Sequence, residues 1–484
     1  MRKLISCTLI CVLLLCCAFS AVSAQSVSGR ETESGNYVYT VQDDGTIMIT
    51  RYNGKDVVLA VPETLDGIAV TAIGPSAFQA NEAVTDVTIP EGIVSLGDSA
   101  FKRCSSLENV SLPASLTNVG VNPFAICETL LEITIADGNP NLKMSGGVLY
   151  SLDDARLIYY SMKNEPGEFK VIKGTRIIGA DAFCGCENIT KVNIPKKSDE
   201  NPNGLIAIGR RAFYRCENLK SINLEDTDIS TVGADAFSGC LKLKKVAFPE
   251  KVTSIAERAF QDCSSLSELV LPEAITTIGD MAFRNCSSLA AVHLPDGVAT
   301  IGKNTFAGCK ELGELTLPDG LEYIGGGAFE ECKSLKKLEL PDSVDYIGSE
   351  AFSDCIALEE ITIPDNCSYI GTSAFFRCQS LTSLVLPSSL YTINPSTFSG
   401  CIALTEIELP EDLEEIGERA FFCCTALKEI VIPDPVEIIG DYAFSNCTAL
   451  ESIELPEDLE TIGPNTFDEA QLSFLPDLSD MIEE

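Results

Sequence analysis

A solenoid of stacked, nearly identical coils is the fold class that the sequence predicts, and three observations predict it. Phenylalanine stands at 237, 260, 283, 306, 329, 352, 375, 398, 421, 444 and 467, an unbroken period of 23 residues that no compact globular fold imposes. Leucine, isoleucine, proline, glycine, alanine and cysteine keep fixed offsets from that phenylalanine in coil after coil. A single unit has too few apolar residues to close a core, whereas coils stacked strand on strand bury every apolar row together.

The chain begins with features of an export leader. Arg2 and Lys3 precede an apolar stretch from Leu4 to Phe19, and Val22-Ser23-Ala24 reads as a small-residue cleavage site. Residues 1–24 are therefore expected to leave, with no membrane span after cleavage, because no later segment is apolar enough. Neither a C-terminal sorting motif nor a lipid anchor is expected, since Leu13-Leu14-Leu15-Cys16 lacks the small residue that precedes a lipidated cysteine.

Residues 25–70 are expected to cap the first coil. Within them, NYVYTVQ and TIMITRY alternate apolar and polar side chains on either side of Asp43-Asp44-Gly45, the pattern of a β-hairpin.

Residues 71–467 carry the coils, and residues 266–288 are representative. The apolar, polar, apolar order of Leu269-Val270-Leu271 predicts one short parallel strand per coil, placed on the concave side. Pro272 ends it, having no N–H to extend a ladder. Gly279 suits a tight turn or a close backbone approach, and Ala282, Phe283 and Cys286 are expected on a short helical turn on the convex side. Earlier phenylalanines at 78, 101, 124, 183 and 213 belong to the series with insertions. The largest insertion, about residues 136–172, holds GGVLYS and ARLIYY around Asp153-Asp154 and reads as a hairpin grafted onto the stack. KKSDENPNG reads as a surface loop. Residues 468–484, where Ala470 replaces the repeat cysteine, are expected to fold over the last coil.

The unit L-x-x-I-x-L-P-x-x-[LV]-x-x-I-G-x-x-A-F-x-x-C, running from about Ile73 to Phe467, resembles the BspA-like class of leucine-rich repeats. The resemblance implies a leucine-rich-repeat solenoid of 23-residue units, a secreted or cell-surface location and, for some members, adhesion to matrix proteins or other cells.

Charge narrows the partner. The formal net charge is −37, and loss of Arg2 and Lys3 with the leader makes it more negative still. Nucleic acid is bound by clustered cations, so this surface excludes it as a partner.

Catalytic and metal chemistry find no constellation. The 21 cysteines and the export leader suggest a disulfide scaffold, but from Cys104 to Cys447 nearly all stand three residues after a spine phenylalanine. Such a row puts residues about 4.8 Å apart and pointing the same way, whereas a disulfide wants Cβ atoms about 3.8 Å apart and a twisted dihedral, and zinc wants a tetrahedral set. A buried row of reduced thiols is expected. Cys367 falls at a core position, while Cys184 and Cys423 are the better candidates for exposed thiols. His293 is the only histidine, so no nucleophilic triad can assemble; no enzyme activity, cofactor or metal is expected. An acidic row follows the repeat proline at Glu250, Glu273, Asp296, Asp319, Asp342, Asp365, Glu411, Asp434 and Glu457. Lacking a glycine-bearing calcium loop, it reads as a hydrated edge.

The outward strand positions remain. Val270, His293, Thr316, Glu339, Thr362, Val385, Glu408 and Val431, with Glu268 beside them, vary where buried rows repeat. A solvent face free of packing constraint and a selective partner surface both predict such variation. The leading expectation is a non-enzymatic adhesin or interaction scaffold that binds an extracellular or host-surface protein through this row. The alternative is a glycan-binding module in which Tyr150, Tyr159 and Tyr160 of the insertion stack on sugars.

Overall fold

Two strands in each coil, joined by a proline-bearing bend and a run of turns, build the described residues into β-solenoid coils. The computed structural model describes residues 29–198, 204–456 and 459–468. The expected leader, the expected cap after Asp468 and the middle of KKSDENPNG lie outside those residues. The chain divides into two units, one ending at Phe237 and the other starting at Ser238.

The first unit opens with three antiparallel strands, Thr32–Ser34, Tyr37–Val41 and Ile47–Tyr52, turning at Asp44-Gly45. Gly45 takes a left-handed φ of 83°, and Asp44 accepts the Thr46 N–H at 2.9 Å. Ile47–Tyr52 then pairs in parallel with Ile68–Ile73, which pairs with Ser95–Leu96, and that strand with Asn118–Val119. A second ladder runs Val58–Ala60, Asp86–Thr88, Asn109–Leu112, Glu132–Ile135.

The insertion is part of this stack and not a graft on it. Leu142–Ser145, Val148–Ser151 and Arg156–Tyr160 form an antiparallel meander, and Arg156–Tyr160 pairs in parallel with the coil strand Ile177–Ile178. The spine rings Phe78, Phe101 and Phe124 stack; then the Tyr159 ring meets Phe124 edge-on at 6.1 Å, and Tyr160 lies 4.8 Å from Phe183. The tyrosines thus occupy places that spine phenylalanines hold elsewhere, which explains why the 23-residue register resumes afterwards.

In the second unit the three-residue strands pair two by two: Lys245–Ala247 with Glu268–Val270, Ala291–His293 with Glu314–Thr316, Lys337–Glu339 with Glu360–Thr362. Ser383–Val385 with Glu406–Glu408 and Glu429–Val431 with Ser452–Glu454 complete the series. One strand per coil was the expectation, but a second, two-residue strand ends at the repeat isoleucine, as in Thr300–Ile301, Tyr323–Ile324, Tyr346–Ile347 and Tyr369–Ile370. Glycine follows it because coils nearly touch there: a Cβ on Gly371 would sit 2.4 Å from the backbone nitrogen of Ser349.

The expected helical turn is absent; the described residues contain no helix. Between Arg258 and Cys263, alternate N–H groups serve different coils. Arg258, Phe260 and Asp262 donate to the carbonyls of Asp280, Ala282 and Arg284 in the next coil, while Ala259, Gln261 and Cys263 donate three residues back. Arg258 and Asp262 reach this arrangement at φ of 55° and 60°, a left-handed conformation costing about 1–2 kcal/mol in a non-glycine residue. A helix would satisfy N–H groups only within its own coil, whereas this stack of turns binds neighbouring coils and leaves none of those six donors unpaired.

Under the turns of the second unit, the spine phenylalanine rings stack within 17° of parallel, Phe283 and Phe306 at 5.5 Å and 6°. Cys309 sits beside them fully buried and donates its thiol proton to the Phe283 carbonyl at 3.3 Å.

Candidate interaction face

The variable outward row is exposed along its length. Val270, Val385 and Val431 are 64%, 71% and 60% exposed, although buried valines fill the core elsewhere. His293, Thr316, Glu339, Thr362 and Glu408 share that exposure, and all stand at the ends of three-residue strands. Backbone pairing sets their order: His293 is opposite Thr316, Glu339 opposite Thr362, and Val385 opposite Glu408. The valines do not form one apolar strip, because Glu408 comes between Val385 and Val431 in the row.

Beside this row runs a charged one. Glu268 is held by Lys245 at 2.9 Å and Glu360 by Lys337 at 2.6 Å, both pairs on adjacent strands. Exposed pairs of this kind contribute about 0–1 kcal/mol each and fix the lateral position of the side chains more than the fold. In the first unit, the equivalent Thr134 donates its hydroxyl to Ser111 at 3.1 Å.

The insertion tyrosines are elsewhere. Tyr150, Tyr159 and Tyr160 are 2%, 3% and 4% exposed, so their ring faces are closed to a sugar and the stacking role expected of them is overturned. Burial raises the pKa of all three phenols.

The thiols divide differently from the expectation. No disulfide joins the described cysteines. Cys184 is buried with the Arg211 guanidinium donating to its sulfur at 3.5 Å, and burial pushes its pKa up to about 11. Only Cys423 of the described cysteines is partly exposed. Burial raises Cys309, Cys355 and Cys401 to about 12, which keeps these thiols protonated and inert.

Within the acidic row, Asp365 accepts the Ser388 N–H of the next coil at 2.7 Å, and that bond holds its pKa below the ordinary value. Glu457 lies outside the described residues. Among the described residues no group of His, Cys, Asp or Glu has the arrangement to hold a metal ion, and no helix is long and apolar enough to cross a membrane.

Sequence reading missed one feature. Tyr323, Tyr346 and Tyr369 begin consecutive two-residue strands and stack with centroids 4.7 and 4.8 Å apart, each pair 11° from parallel. Tyr323 and Tyr369 are 39% and 36% exposed. The signal was present as three tyrosines at the 23-residue spacing, at a position held by threonine in Thr277, Thr300, Thr392 and Thr461. The column belongs to the second strand of the coil, on which the alternation of the first strand carries no information.

Comparison with known proteins bears on this architecture. The family model described as the BspA type leucine rich repeat region matches in six copies, over residues 67–146, 159–200, 176–313, 276–397 and 370–481. Among solved structures, a leucine-rich repeat protein from Bacteroides ovatus is similar at 24% identity, covering 90% of this chain and 91% of its own, with a TM-score of 0.39. A leucine-rich cell surface protein from Faecalibacterium prausnitzii is similar at 24% identity over 92% of this chain and 97% of its own, TM-score 0.40. The pneumococcal vaccine antigen PcpA is similar at 16% identity over 69% and 98%, TM-score 0.34. No curated protein matches the chain.

Proposed function

The chain belongs to the BspA-type leucine-rich repeat family, and from that premise we propose that it is an extracellular, non-enzymatic scaffold binding a protein partner through the outward row from Glu268 to Val431. One observation carries the reading: Val270, Val385 and Val431, each on its own two-stranded ladder, expose most of their surface, where an apolar side chain gains nothing from the core. Each strand is held by the coils around it, so a partner meets a preformed surface and little ordering entropy opposes association. Affinity is spread over coils, with a few central residues dominating.

Binding is favoured over catalysis because His293, the only histidine, stands on the exposed end of its strand opposite Thr316, with no acid–base partner beside it in the register. The leader expected from Arg2 to Ala24 supports an extracellular location, as does the family, whose members are commonly surface proteins. The test is a panel of immobilised extracellular-matrix and cell-surface proteins, probed in parallel with the chain and with a variant carrying lysine at the three exposed valines. Retention of partner and affinity by that variant would remove the outward row from consideration.

A further inference from the structure

The stacked tyrosines stand apart from the outward row in sequence and in chemistry. Tyr323, Tyr346 and Tyr369 cover one another's faces, so solvent meets a continuous ridge of ring edges and hydroxyls across three coils. Tyr391, one position before Thr392 of the next coil and so outside the ladder column, is 57% exposed. Threonine stands in the same column at 277, 300, 392 and 461, and serine, glutamate and isoleucine at 254, 415 and 438, so the solenoid does not require an aromatic ring here.

Carboxylates flank the ridge. Glu322 and Asp345 immediately precede Tyr323 and Tyr346, and Asp319, Asp342 and Asp365 each lie four residues before a ladder tyrosine; all five are exposed. Among the described residues none of the five is in an ion pair. Of the lysines in these coils, Lys337 pairs with Glu360 and Lys333 with Glu331. Uncompensated negative charge beside an exposed aromatic ridge calls for a ligand that brings cations and flat apolar surface together.

On this charge complementarity we infer that the tyrosine ridge is a docking site for an extended, arginine-rich segment of a partner protein, which rests on the reading of the chain as a protein-binding scaffold. Guanidinium groups pair with carboxylates in a two-pronged geometry and can donate to the tyrosine hydroxyls, while their aliphatic stems pack along the ring edges. A sugar is the poorer fit: it stacks on an open ring face, and the ladder closes the inner faces with its own rings. Attraction between exposed charges falls within about 8 Å at physiological ionic strength, so the contact weakens as salt rises.

The probe is a labelled peptide alternating arginine and proline, titrated against the whole chain with unlabelled neutral glucan as a second arm. Because the chain contains no tryptophan, its intrinsic emission reports tyrosine directly. The decisive variant combines Tyr323→Thr, Tyr346→Thr and Tyr369→Thr, using the residue the repeat itself places in that column. Affinity for the peptide should fall at least tenfold with an unchanged melting profile, and replacing arginine by uncharged citrulline in the peptide should weaken binding similarly. Equal affinity in the threonine variant, equal binding of the citrulline peptide, or preference for the glucan would overturn the inference. A control with Val270→Thr, Val385→Thr and Val431→Thr should bind the peptide as the parent does. Failure of the outward-row reading shows instead in the matrix-protein panel, so the two results are separable.

Discussion

Tyr159 meets Phe124 edge-on at 6.1 Å, joining the insertion to the phenylalanine spine. With Tyr160 against Phe183, this contact makes the insertion a structural member of the first unit. Tyr159→Ala should therefore destabilise the chain by about 3–5 kcal/mol, the range for removing a large buried aromatic. Replacing residues 140–170 by a short linker should abolish cooperative unfolding of the first unit. Thermal melts followed by circular dichroism check both; a linker variant that melts as the parent does would return the insertion to the status of a graft.

The buried thiols should be silent in the native chain. Titration with an aromatic disulfide at neutral pH is expected to modify Cys423 quickly and the row cysteines, together with Cys184, only after unfolding. An unreduced denatured sample with almost no reactive thiol would contradict the reduced row.

The same thiols make stability depend on alkaline pH. Burial raises Cys309, Cys355 and Cys401 from an ordinary value of 9.0 to about 12, so the folded chain holds protons that the unfolded chain releases. Their contribution is complete below pH 9 and is lost progressively as pH climbs toward 12. Denaturant melts under reducing conditions should show falling stability across that window. Replacing the three residues with alanine should flatten the slope even if it lowers the stability at neutral pH.

Coil spacing is set by glycine where backbones converge. Gly371→Val should destabilise by about 1–3 kcal/mol, because its Cβ would meet the Ser349 backbone at 2.4 Å and no flexible side chain can yield. Asn394, at the equivalent place, donates to the Ile370 carbonyl at 2.7 Å, so Asn394→Gly should lose little beyond that bond. Comparing the two melting temperatures checks the argument.

The outward row should respond to charge. Once a partner is in hand, combined Val270→Lys, Val385→Lys and Val431→Lys should weaken its binding at least tenfold while leaving the melting temperature close to that of the parent, since all three side chains are mostly exposed. Surface-plasmon titration of the partner gives the readout, and unchanged affinity would move the site off this face.

Sequence alone determined the coil. A period of 23 residues, apolar rows and a phenylalanine at each repeat dictate stacking, because only neighbouring copies can bury what one copy exposes. The exposure of Val270, Val385 and Val431 was likewise legible in the alternation of the strand. Tertiary structure decided the rest, for reasons of neighbourhood rather than pattern. Whether Ala282-Phe283-Cys286 coils into a helix depends on which carbonyls are in reach, and in a stack the next coil offers them. Whether Tyr150, Tyr159 and Tyr160 face water depends on the gap between Phe124 and Phe183, which appears only when the spine is assembled. The contact of Tyr323, Tyr346 and Tyr369 required a second strand per coil to bring residues 23 positions apart within 5 Å.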